Sequence, residues 1–278
     1  MAATGNDFVV VYAHDLPEGL GADSAPGICD REYGVGADGV LVVGQGRSLS
    51  DADRAVGALA SMTVWNADGS IAQMCGNGLR CIALLLLEHG HWSGQDEAVI
   101  NSAAGPVRAR LASPPGAAQT RIDVQLGAPR AADLEPLELS AAGLSVLGRR
   151  VDMGNPHFVV FRDEQPSPLP ELQAWASEIE TAAPFPERTN VEFATIEAPD
   201  RIRLRVWERG VGETQACGSG ACAAVVAARL SGRIEEGLAE VILPGGLLQV
   251  SWAGGMADPV SLCGSATLSH RDTWTERG

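Results

Sequence analysis

Cys75-Gly76-Asn77-Gly78 and Cys217-Gly218-Ser219-Gly220 decide the reading of this chain, because each opens into an apolar run of helical character. Their surroundings match too. Trp65-Asn66 precedes the first and Trp207-Glu208 the second, with ten residues from tryptophan to cysteine both times. Further upstream lie Gly5-Asn6-Asp7-Phe8 and Gly154-Asn155-Pro156-His157-Phe158, each followed by a short β-branched run. From Asn6 to Cys75 is 69 residues, and from Asn155 to Cys217 is 62. Three landmarks in the same order predict a duplicated domain with one cysteine in each half. Two equivalent thiols suit chemistry on both faces of one carbon.

The remaining sequence fits that division. A chain of 278 residues can hold two medium domains. Strands are expected at Val9 to Tyr12, Val40 to Val43, Met62 to Trp65, Val107 to Leu111, Ile122 to Leu126, Phe158 to Phe161, Val191 to Ile196 and Ile202 to Trp207. Leu79 to Glu88 and Ala221 to Leu230 read as the two buried helices, Glu171 to Glu180 as an extra one, and Val241 to Leu243 with Leu247 to Trp252 as a hairpin. Ser113-Pro114-Pro115-Gly116-Ala117 carries neither period and predicts the linker. The halves are then 1–116 and 117–264, with 265–278 returning to the first. In Arg201 to Arg209, Ile202, Leu204, Val206 and Glu208 share one face, and Met62, Val64 and Asn66 do the same in the first half. Each inward row thus ends in a polar group that needs a partner.

Charge and cysteine usage narrow the partners. A net charge of −15 argues against nucleic acid. The longest aliphatic run, Ile82 to Leu87, suits a buried helix rather than a membrane span. No signal peptide is visible, so a cytoplasmic protein with reduced cysteines is expected. A thiol acts as base or nucleophile only as thiolate, which a helix amino terminus favours. The Gly-x-Gly after each cysteine exposes backbone N–H groups suited to a carboxylate. One thiolate can then take a proton from an acidic carbon while the other thiol returns one to the opposite face. No lysine-centred pyridoxal site is evident, so no cofactor is expected. A zinc site from Cys75, Cys81, Cys217 and Cys222 fails on spacing. Helical positions six and five apart diverge by roughly 240° and 140°. Cys81 and Cys222 read as core residues, Cys29 and Cys263 as structural, and His14, His89, His91 and His270 as structural hydrogen-bonders. His157 stands apart, since it occupies the position of Asp7 within the repeated motif.

With these motifs the chain closely resembles the diaminopimelate epimerases. The resemblance runs through Gly5-Asn6-Asp7-Phe8, Gly34-Val35-Gly36-Ala37-Asp38-Gly39, Asn66-Ala67-Asp68-Gly69-Ser70, Met74 to Cys81, Gly154 to His157, Arg188-Thr189-Asn190-Val191-Glu192-Phe193 and Arg205 to Cys222. It implies an α/β (α+β) fold of two pseudo-symmetric domains, each a curled, mainly antiparallel sheet wrapped around a central helix. It implies Cys75 and Cys217 as the acid–base pair, with His157 and Glu208 assisting near the reacting centre. Asn6, Asn66, Asn155, Asn190, Glu208 and Arg209 match its substrate contacts, and Gly76-Asn77 and Gly218-Ser219 its carboxylate-binding loops. It implies inversion of a small amino-acid substrate, LL-diaminopimelate, to the meso isomer for lysine and peptidoglycan precursor synthesis, with no metal and no cofactor, and the family suggests a homodimer. Other expectations are a racemase or isomerase of another amino acid on the same fold, or a non-catalytic amino-acid binder. Two departures stand out. Only Met1-Ala2-Ala3-Thr4 precede Gly5 where the family has a fuller first strand, which predicts a shortened edge. Some members also carry glutamine where this chain has Gly39.

Overall fold

In the computed structural model, residues 1–114, 117–163, 169–235 and 237–269 are described. The chain divides into two compact units, Met1–Val124 joined by the chain from Gly264 onward, and Gln125–Cys263. The division falls eight residues beyond the expected boundary at residue 116. The strand Arg121–Gln125 explains the shift, since its Arg121 carbonyl accepts from the Ala112 N–H at 2.9 Å and binds it to the first unit. Pro115, Gly116 and the tail 270–278 lie outside the described residues.

The first unit is built on β1 (Asn6–Tyr12), β2 (Gly39–Gly44), β3 (Ala60–Asn66), α1 (Gly76–Glu88), β4 (Ala98–Ser102) and β5 (Gly105–Leu111). Pairing is parallel for β1–β2, antiparallel for β2–β3, parallel for β3–β4 and antiparallel for β4–β5. The second unit uses β6 (Pro156–Phe161), α2 (Leu169–Glu180), β7 (Asn190–Ala198), β8 (Arg201–Glu208), α3 (Gly218–Leu230), β9 (Leu238–Leu243) and β10 (Gly246–Ser251). Its pairings run parallel, antiparallel, parallel, antiparallel in the same order. Even the short strands before each cysteine correspond, Ile71–Ala72 on β3 and Gly212–Thr214 on β8. The repeat in sequence is therefore a repeat in topology.

Each unit wraps its strands around one helix. In α1 every residue from Asn77 to Leu86 is buried, and in α3 so are Gly218 and Gly220 to Ala228. A helix apolar on all sides belongs in a core rather than on a surface. Glycine and alanine let α3 lie close to β6, β7, β8 and β10. The opposite faces of the sheets are covered differently. In the first unit Ala25, Ile28 and Cys29 of the short helix Ala25–Cys29 pack on Val40, Val42 and Trp65. In the second, Leu172, Trp175, Ala176 and Ile179 of α2 pack on Phe158, Val160, Val191 and Phe193. Burying one such side chain contributes about 1.5–3 kcal/mol.

Some elements escape the sequence pattern, among them a strand and a hairpin. Ala98–Ser102 is short, and the hairpin Leu137–Ala141 with Leu144–Asp152 turns through Ala142-Gly143, both at positive φ (49° and 74°). Alanine there hides a turn that asparagine would have announced. The amino-terminal edge is a two-residue strand, Ala2–Ala3, paired with Asn6 and Asp7. Ala2 and Thr267 exchange both backbone hydrogen bonds, at 2.9 and 2.8 Å, so the chain beyond Gly264 closes this edge. A side chain at Gly39 would meet the Trp65 carbonyl oxygen at 2.8 Å, so glutamine cannot enter here without backbone movement.

Candidate functional site

Each cysteine is the N-cap of its central helix. Cys75 has extended backbone (φ −142°, ψ 111°), and Cys217 nearly the same (φ −126°, ψ 114°). The strand-to-helix turn therefore sets each Sγ over the first turn, where backbone N–H groups have no partner in the helix. Cys75 Sγ accepts from the Gly78 N–H at 3.3 Å. Cys217 Sγ lies 3.5 Å from Ser219 Oγ, and the Gly220 N–H also points to it. Glycine is needed at Gly78 and Gly220. An added Cβ would press on Leu41 at 2.9 Å in the first case and on Glu192 at 2.8 Å in the second.

In the first unit the cysteine loop is tied to the repeated asparagine. Asn77 Nδ2 donates to Asn6 Oδ1 at 2.5 Å, and Asn6 Nδ2 to Asp38 Oδ2 at 3.1 Å. Arg31 grips Asp7 with two nitrogens (2.8 and 3.0 Å) and Asp38 with one (2.8 Å), and its guanidinium holds the Asp7 carboxyl below the usual carboxylate range. Arg80, fully buried, donates to Asn77 Oδ1 (2.6 Å) and Thr4 Oγ1 (2.8 Å). Asn6 and Asn77 thus come together. Asn66 is engaged elsewhere, capping its own turn through Ser70 Oγ at 2.8 Å.

The second unit gathers more. His157 and Glu192 are buried and meet at 2.7 Å through Nδ1 and Oε1. His157 Nε2 lies 3.0 Å from Asn155 Oδ1, and Asn155 Nδ2 donates to Ser219 Oγ at 3.3 Å. Asn155–Ser219 is the counterpart of Asn6–Asn77. Glu208, at the end of β8, accepts from Thr214 Oγ1 at 2.6 Å and lies in hydrogen-bonding contact with Cys217. Burial pushes the Glu208 carboxyl up, against Thr214 and His157. Asn190 Oδ1 accepts from the Arg209 N–H at 3.0 Å, while its Nδ2 donates to the Pro156 carbonyl at 2.8 Å. The loop carrying Glu208 and Arg209 is clamped by buried Glu180, which takes the Trp207 indole N–H at 2.8 Å and the Gly210 N–H at 2.9 Å.

One correspondence inferred from spacing does not survive. Val9 neighbours Val40, which faces Trp65, and Phe158 neighbours Val191, which faces Trp207. The third strands therefore share one register and Asn66 and Glu208 occupy equivalent rungs; it is His157 that moves, since it takes the rung of Phe8, beside Asn190, and not that of Asp7. Sequence reasoning also assigned no role to Arg80, Glu180 or Glu192. A signal existed for the last, a glutamate between Val191 and Phe193 in a run otherwise made for burial.

Electrostatics set the resting state of Cys217. Burial first, then the negative charges of Glu208 and Glu192, push its thiol well above the ordinary value, and Ser219 and the Gly220 N–H oppose them weakly. A folded value above the unfolded one means this contribution to stability is complete below about 8.5, the unfolded thiol value, and is lost as pH rises towards the folded value. Urea midpoints are expected to fall through the alkaline range, and Cys217→Ala to flatten that slope. Equal slopes in the two proteins would contradict it.

Residues 1–131 and 149–268 match the family model for diaminopimelate epimerase. Diaminopimelate epimerase of Thioalkalivibrio sulfidiphilus is 39% identical over 278 residues, covering 96% of this chain and 94% of that one. That of Synechococcus sp. (strain JA-3-3Ab) is 43% identical over 270 residues, covering 89% and 87%. Among solved structures, a hydroxyproline epimerase from Agrobacterium vitis superposes with a TM-score of 0.69 at 15% identity, covering 95% of this chain and 86% of its own. A PhzF-family phenazine biosynthesis protein from Bacillus anthracis gives 0.66 at 14%, covering 94% and 90%. At such identities the structural likenesses establish the fold.

Proposed function

Because this chain belongs to the diaminopimelate epimerase family, we propose that it inverts one α-carbon of LL-diaminopimelate to give the meso isomer, with Cys75 and Cys217 as the two acid–base groups. The observation that carries this reading is the twofold placement of a cysteine at the amino terminus of a buried helix, backed both times by the repeated asparagine. One thiolate accepts the Cα proton, leaving an enolate-like carboxylate, and the other thiol delivers its proton to the opposite face. The N–H groups of Gly76-Asn77 and Gly218-Ser219 stabilise the developing charge. No cofactor takes part.

The rest of the site supplies recognition. Glu208, held by Thr214, takes the Cys217 proton or returns it. His157 acts beside it. Asn6, Asn66, Asn155 and Asn190 offer amide groups to the substrate. Arg209 reads the distal carboxylate, since a guanidinium presents paired donors to it. Replacing Arg209 by leucine is expected to raise KM for diaminopimelate about 10- to 150-fold, the equivalent of the ~1.5–3 kcal/mol of a charge-assisted hydrogen bond. A KM within twofold of wild type would remove Arg209 from the binding site. The product would serve lysine and peptidoglycan precursor synthesis in the cytoplasm, from a homodimer; sedimentation tests the last point. Among the described residues no helix is long and apolar enough to cross a membrane.

The experiment is NMR of LL-diaminopimelate in D₂O under strong reductant. Deuterium entering Cα as the meso isomer appears is the expected result. A folded protein that exchanges no α-proton of diaminopimelate, but exchanges that of another amino acid, would replace this substrate.

A further inference from the structure

We propose that Glu192 is a positioning residue that sets the hydroxyl of Ser219 towards Cys217, acting through His157 and Asn155; the role in turnover rests on the epimerase reading above. The four contacts form one continuous line within the second unit. Glu192 Oε1 meets His157 Nδ1 at 2.7 Å, His157 Nε2 meets Asn155 Oδ1 at 3.0 Å, Asn155 Nδ2 meets Ser219 Oγ at 3.3 Å, and Ser219 Oγ meets Cys217 Sγ at 3.5 Å. The side chains of Glu192 and His157 are wholly buried, so water does not compete for these bonds. The parallel pairing of β6 with β7, with His157 opposite Asn190 and Val159 opposite Glu192, puts the two on one face of the sheet.

Hydrogen accounting gives the line a direction. An amide oxygen only accepts, so His157 Nε2 must carry a hydrogen to bond Asn155 Oδ1. Two states of the pair with Glu192 meet that requirement. As a carboxylate Glu192 accepts from a doubly protonated ring, and as an acid it donates to Nδ1 of a neutral one. Asn155 then points its NH₂ at Ser219, whose oxygen accepts it, and the Ser219 hydrogen is left for the Cys217 sulfur. With no polar group at residue 192, a neutral ring is free to keep its hydrogen on Nδ1. The lone pair on Nε2 then repels Asn155 Oδ1, the amide turns over, and Ser219 donates to Oδ1 instead of to sulfur. A tautomer three side chains away thus decides whether the Cys217 thiolate has a hydroxyl donor. The other carboxylate oxygen, Glu192 Oε2, is buried and has no hydrogen-bond partner, so among the described residues His157 is what the carboxyl group is bonded to.

Two variants separate geometry from bulk. Glu192→Gln can still donate an N–H to Nδ1 and should keep kcat within about threefold, whereas Glu192→Met fills similar space without a polar atom. Glu192→Met should lower kcat on the order of tenfold at nearly constant KM, a milder loss than the ~10⁴-fold of a wrong tautomer in a histidine that itself carries the proton. Adding Ser219→Ala to Glu192→Met should cost little more than Ser219→Ala alone, since both cut the same line. Multiplicative losses, or a Glu192→Gln enzyme as slow as Glu192→Met, would overturn the proposal. Should Glu192→Met not fold, a tenfold loss in folded Glu192→Gln does so. A readout independent of turnover is ¹⁵N-histidine NMR of the resting protein. A hydrogen on His157 Nε2 is expected in wild type and Glu192→Gln, and its absence in wild type sinks the proposal even if another substrate proves correct. Wild-type enzyme silent on diaminopimelate, with that hydrogen present, sinks only the substrate reading.

Discussion

Cys217→Ala is expected to reduce LL-to-meso conversion by at least about 10³-fold, and Cys75→Ala by a similar factor, because each removes one of two obligatory proton carriers. Neither loss should come from unfolding. Cys217 sits at a helix start, where its extended backbone is open to alanine, and its side chain makes only weak contacts, to Ser219, the Gly220 N–H and Glu208. Removing a buried thiol that resists ionisation between Glu208 and Glu192 also relieves an unfavourable charge environment at high pH. Thermal midpoints near wild type, together with the rate loss, are the expected pair of results. The rate is followed by NMR of the two isomers, and midpoints by circular dichroism. Conversion within tenfold of wild type in either variant would mean that the corresponding thiol is not an acid–base group. Serine at either position keeps the shape but holds its proton far more tightly, so Cys217→Ser should be nearly as slow as alanine.

Gly34→Ala should lower stability by about 3 kcal/mol or more, through a clash that nothing nearby can relieve. An added methyl would overlap the Gly27 carbonyl oxygen and come within 2.7 and 2.8 Å of the Ile28 and Asp30 oxygens. These atoms are backbone at the end of the short helix Ala25–Cys29. The chain folds back there so that the Gly34, Val35, Gly36 and Ala37 N–H groups satisfy its last carbonyls. Yielding to the methyl would break those bonds and displace Arg31, which organises Asp7, Asp38 and, through Asp38, Asn6. For a protein of this size the loss corresponds to a fall in Tm of roughly 6–12 °C. Gly27→Ala is the matched control, since a Cβ there meets nothing within 4 Å. Equal midpoints for the two variants would show that the turn gives way easily.

The sequence by itself determined the duplication, the two central helices and the identity of the paired cysteines. Those features are local: a cysteine before Gly-x-Gly, a fully apolar helical run, and alternating strands such as Arg201–Glu208 are each written within a dozen residues. Its spacing also matched Asn66 with Glu208, and the ladders of β3 and β8 agree, but it set His157 against Asp7 and there it misled, because His157 stands on the rung of Phe8 and a motif does not record register. Only the tertiary structure decided which polar groups meet. His157 and Glu192 are 35 residues apart and Arg80 and Thr4 are 76, yet both contacts lie in closed cores. Such pairs depend on which strands lie side by side, in what register, and which face of each is turned inwards. A buried charge in a sequence announces only that it needs a partner; packing chooses which one, because a desolvated polar group is tolerated only where another completes its hydrogen bonds.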